Sequence, residues 1–88
     1  MMKANELNEI FELIKKLRNG EILGKNVSKR IRQLAKDESK DTPAFGFLQE
    51  SYRLCRLMSN RLTSGERQRS PTIEAKFREL CTHFEQLQ

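Results

Sequence analysis

Apolar residues recur along this chain every third or fourth position, and no stretch alternates with a period of two. That is the signature of amphipathic helices and not of strands. Leu7, Ile10, Phe11, Ile14 and Leu17 share one helical face and predict a helix over about 5–19. Asn5 is the expected N-cap, Glu6 and Glu9 suit the positive helix end, and Lys15, Lys16 and Arg18 suit the other. Gly20 fits the left-handed position that follows a helix. The connector 20–24 carries Ile22 and Leu23, expected to tuck under the core. Val27, Ile31, Leu34 and Ala35 predict a second helix over about 26–37, with Asn26 as its cap.

A polar loop, 37–42, leads to Thr42-Pro43, a cap followed by proline at the first helical position. The third helix is expected over about 43–64, ending before Gly65. Its apolar residues Phe47, Leu48, Tyr52, Leu54, Cys55, Met58 and Leu62 span about half the circumference. So wide an arc predicts a central helix that touches two or more neighbours. After the polar loop 65–70, Ser70-Pro71 opens a fourth helix over about 71–87, with Ile73, Phe77, Leu80, Cys81, Phe84 and Leu87 on one face. The expectation is a single all-α domain, 1–88, folded as a small antiparallel four-helix bundle.

Eighty-eight residues fit one domain with one modest core. No apolar run approaches the roughly 20 residues of a membrane helix. The N-terminal stretch lacks the apolar segment of a signal peptide. A cytoplasmic chain with no membrane partner is therefore expected. Two cysteines, Cys55 and Cys81, are too few for a disulfide scaffold. Both fall on apolar faces, so free buried thiols are expected, with a bridge between packed helices as the alternative.

Charge changes this picture because it is local. Residues 25–36 hold Lys25, Lys29, Arg30, Arg32 and Lys36 and no acid. Residues 51–69 hold Arg53, Arg56, Arg61, Arg67 and Arg69 against the single acid Glu66. On the second helix Lys29, Arg32 and Lys36 form a stripe opposite the apolar face. On the third, Gln49, Arg53, Arg56 and Asn60 do the same. Such rows neutralise phosphates, and the planar edges of Arg, Gln and Asn also suit bases. They equally suit an acidic protein surface, or simply keep a small domain soluble.

The string Val27-Ser28-Lys29-Arg30-Ile31-Arg32-Gln33-Leu34 resembles the recognition helix of helix-turn-helix regulators. That resemblance implies Ser28 and Lys29 on phosphates and Arg32 reaching bases. The pattern departs in two places. Gly20 and Gly24 interrupt the region where the first helix must lie, and the following link is acidic (Asp37, Glu38, Asp41). Membership of that class is not assigned.

Catalytic chemistry finds little footing. His83 is the only histidine, read as a surface residue with Glu79 one turn before it. Cys81, two residues away, points elsewhere on a helix, so a Cys–His nucleophile pair is not expected. One His and two distant Cys do not complete a zinc site. No catalytic, cofactor or metal residues are therefore expected. The leading expectation is a small non-enzymatic regulator or adaptor that binds a protein partner with an acidic surface. Its apolar anchors would be Phe45 and Leu57, and a homodimer is a further candidate. The alternative is a nucleic-acid-binding regulator using the basic stripes on helices 2 and 3. A second alternative is a small all-helical enzyme with an anionic substrate held by Arg and Lys in the bundle interior.

Overall fold

A computed structural model describes residues 3–61 and 70–87, the side chains of 59–61 excepted. It contains four α-helices: α1 (Ala4–Arg18), α2 (Gly24–Lys36), α3 (Pro43–Arg61) and α4 (Pro71–Gln86). Among the described residues there is no strand. The expected end of the third helix at 62–64, Leu62, Arg67 and Arg69 lie outside the described residues.

The helix ends follow local chemistry. At α3, the Phe45 N–H donates to Thr42 Oγ1 at 3.2 Å, and Pro43 needs no partner at the first helical position. At α4, the Ile73 N–H donates to Ser70 Oγ at 3.4 Å. At the end of α1, Gly20 takes φ +77°. Its N–H donates to the Leu17 carbonyl at 3.0 Å and the Glu21 N–H to the Lys16 carbonyl at 2.8 Å. Those two bonds are a Schellman motif, which a β-carbon at the left-handed position would strain.

Two expected caps are displaced. Helix α1 begins before Asn5, because the Lys3 N–H donates to the Glu6 carboxylate at 3.0 Å and fixes the first turn one step earlier. Helix α2 begins before Asn26, whose N–H donates to the Leu23 carbonyl at 3.1 Å. Leu23 thus becomes the N-cap, with no side-chain bond to the helix. Its side chain is 62% exposed, not tucked under the core as expected; only Ile22 of that connector packs against the core.

Helix α3 contacts all three others, as its wide apolar arc predicts. Helices consecutive in the chain run antiparallel. Arg30 of α2 meets Glu9 of α1, and His83 of α4 meets Glu50 near the start of α3. The Cys55 thiol donates to the Gly24 carbonyl at 3.2 Å, tying the middle of α3 to the start of α2. The fully buried side chains include Ile10 and Ile14 of α1, Val27 of α2, Phe47 and Met58 of α3, and Ile73 of α4. These alternate around one continuous core. Ser51 is also fully buried, at the centre of the α3 face.

Helices α1 and α4 are clasped by large side chains. The Phe11 ring stacks on Phe84 at 4.4 Å and on Phe77 at 5.9 Å. Arg18 lies 4.2 Å over the Phe77 ring, and its Nη1 donates to both carboxylate oxygens of Glu74 at 3.0–3.1 Å. Neither Cys55 nor Cys81 is held in a disulfide. Cys55 is buried as expected, but Cys81 is only half-buried.

Candidate functional site: a basic groove between α2 and α3

Antiparallel α2 and α3 leave a shallow groove of about 230 Å³ along their outer seam. Its lining is mostly apolar: Ile31 and Ala35 from α2, with Phe45, Leu48 and Tyr52 from α3. Gln49 and Arg53 form its α3 wall. These residues meet because Ile31/Ala35 and Leu48/Tyr52 are each one turn apart, on the edges of their apolar faces.

The groove also fixes the direction of both basic stripes. Arg30 sits on the α1 side of α2, where its Nε and Nη2 donate to Glu9 at 2.7 and 3.0 Å. At about 100° per residue, the α2 positions that follow Ile31 and Ala35 away from α1 are Ser28, Arg32, Lys25, Lys36 and Lys29. The positions on α3 that follow Leu48 on the α2 side are Tyr52, Phe45, Arg56, Gln49, Asn60 and Arg53. Arg32 is therefore the stripe cation of α2 nearest the groove, with Lys36 and Lys29 turned further toward solvent, while on α3 Gln49 and Arg53 line it. The Arg56 guanidinium lies 5.9 Å over the Tyr52 ring. The Asn60 and Arg61 side chains are outside the described residues.

Along the groove the helix walls carry cations, while exposed Asp37 and Asp41 stand in the α2–α3 link at its end. Helix α2 contains no acid, and the only acid of α3, Glu50, faces α4. Among the described residues the ion-paired Lys and Arg, namely Lys15, Arg18 and Arg30, all engage carboxylates through or on α1. Among the described residues, no carboxylate is bonded to Lys25, Lys29, Arg32, Lys36, Arg53 or Arg56. Arg30 belongs to the other class. Its hydrogen bonds hold the Glu9 carboxyl below its ordinary range and raise the guanidinium's own value. It ties α2 to α1 and does not join the groove.

Comparison of the chain with known protein families, curated proteins and solved structures returns no match.

The two expected apolar anchors are separated. Phe45 is half-buried and lines the basic groove. Leu57 lies on the opposite side of α3, in a cleft of about 400 Å³ shared with Lys76 and Glu79 of α4. That cleft is mixed in charge, since Glu50 and Glu79 face Arg53 and Lys76 across it.

His83 departs from its expected surface position beside Glu79. Its ring is 20% exposed, with Nδ1 2.6 Å from Glu50 Oε1. It meets the edge of Phe47 at 6.0 Å. Its Cε1 lies 3.4 Å from where a β-carbon would stand on Gly46, so the ring packs directly against the α3 main chain. Burial pushes the Cys81 thiol up, which keeps the sulfur protonated at neutral pH. Glu38 was expected in an exposed acidic link. It is buried and accepts from Thr42 Oγ1 at 2.9 Å, helping to lock the α2–α3 turn. Among the described residues no group of His, Cys, Asp and Glu stands ready for a metal ion, and no helix is long and apolar enough to cross a membrane. The interior holds Ser51 and Glu38 as its buried polar residues, and no buried Arg or Lys is found among the described residues.

Proposed function

We propose that this protein is a small non-enzymatic adaptor or regulator whose α2–α3 groove holds an acidic segment of a protein partner. The observation that supports this reading is an apolar, aromatic floor beside cations bonded to no carboxylate among the described residues, Arg53 in the α3 wall and Arg32 next around α2. Cations alone would suit phosphates equally well. Phosphates gain nothing from Ile31, Ala35, Phe45 and Leu48, whereas the apolar side chains of a protein segment are removed from water there. The rim cations then speed encounter and select for acids, while the floor slows release. A cytoplasmic setting agrees with two cysteines held in no disulfide.

The test is capture from extracts of the source cells after nuclease treatment, with three forms of the protein. Wild type and Arg78→Glu, which alters an exposed α4 residue, should retain the same partner. Arg32→Glu/Arg53→Glu should lose it, since reversing two rim charges weakens binding by about tenfold or more. Equal retention by all three contradicts the groove. Loss of the partner on nuclease treatment favours nucleic acid instead. In that case a duplex or single-stranded probe should bind with steep salt dependence, falling roughly a thousandfold between 50 and 200 mM salt for about six phosphates.

A further inference from the structure

Resting on that reading, we infer that the groove's occupant is a short amphipathic α-helix with acidic side chains on both sides of its apolar stripe. Three features of the groove carry this. First, both walls are α-helices, whose main-chain groups bond within their own helices. No sheet edge is offered, so a segment entering as a strand would find no main-chain partners. A helix brings its own main-chain bonds and needs only side-chain contact.

Second, the floor on α3 runs from Phe45 to Tyr52, two helical turns or about 10 Å. That length accepts anchors at i, i+4 and i+7 of an incoming helix, the spacing by which helices seat in apolar grooves. Third, the cations stand on two rims. Arg32 follows Ile31 and Ala35 around α2, and on α3 Arg53 lines the groove while Arg56 lies over the Tyr52 ring. A helix carries flanking residues to the left and right of one apolar stripe, so acids there meet both rims at once. A strand in the groove sends successive side chains down to the floor and up to solvent. It reaches the rims poorly.

The experiment uses the whole protein and four fluorescein-labelled synthetic peptides of ~18 residues, about five turns. The first is a helix with a Leu/Phe stripe flanked by Glu. The second has the same composition, scrambled so that no face is apolar. The third carries two central prolines, and the fourth replaces the flanking Glu by Lys. Fluorescence anisotropy measures affinity. The first peptide is expected to bind, and the other three to bind at least about tenfold more weakly. Arg32→Glu/Arg53→Glu, both at exposed positions, should weaken the first peptide by about tenfold, and Arg78→Glu should leave it unchanged. If the proline peptide binds as well as the first, and both are lost with Arg32→Glu/Arg53→Glu, the helical occupant is wrong while the groove stands. Failure of every peptide to bind also overturns the helical occupant. If cellular capture is in addition indifferent to Arg32 and Arg53, the groove reading falls with it.

Discussion

Ser51 occupies the centre of the α3 face, fully buried among apolar side chains, and its hydroxyl has no hydrogen-bond partner. A buried, unmatched hydroxyl costs stability, because folding strips its water and returns nothing. Ser51→Ala removes the oxygen and keeps the small volume. We expect it to raise stability by about 1 kcal/mol, read as a higher urea midpoint at unchanged slope. A lower midpoint would mean that the hydroxyl is matched within the core. Single residues were also where the sequence was hardest to read. His83 lies off the apolar face of its own helix, and nothing local announces that Phe47 and Glu50 of α3 receive it. Glu38 looks like one more acid in a polar link until Thr42 folds back onto it. His83 is decided by residues of another helix and Glu38 by a turn within its own link, and a single helical wheel contains neither.

At the scale of elements, the Arg30–Glu9 pair joins α2 to α1 and can be read through pH. Glu9 is held below its ordinary value of 4.5 by its hydrogen bonds to Arg30. A depressed carboxylate stabilises the folded state above its unfolded value, and the contribution disappears as pH falls through the lower folded value. Wild type should therefore melt higher than Glu9→Gln at pH 7, and the gap should close below about pH 4. The pair is over a third exposed, so the gap is small. A gap that persists at low pH would assign the difference to something other than this ion pair. Elements were the most legible level of the sequence. The threefold and fourfold spacing of Ile, Leu and Phe placed four helices, and Thr42-Pro43 and Ser70-Pro71 placed two starts. The starts of α1 and α2 were misjudged because Glu6 and the Leu23 main chain do the capping there, and neither is a conventional N-cap side chain.

For the whole molecule, the decisive arrangement is the placement of α2 and α4 on opposite sides of α3. It sends Glu50 and Leu57 toward one seam and Phe45 and Gln49 toward the other, with Arg53 bordering both. The stripes themselves could be read from the sequence. Which of their residues border the α2–α3 groove could not, because a bundle of four helices can be ordered several ways and each order pairs different shoulders. Arg30 shows the same limit: it sits within the basic run yet turns to α1. The account rests on the groove between α2 and α3 being the surface that binds. Amide chemical-shift mapping of the isotope-labelled protein, titrated with the acidic helical peptide or with a captured partner, tests this most directly. The largest changes should fall on Ile31, Arg32, Ala35, Phe45, Gln49 and Tyr52. Changes centred on Leu57, Lys76 and Glu79, with the groove amides unmoved, would contradict it.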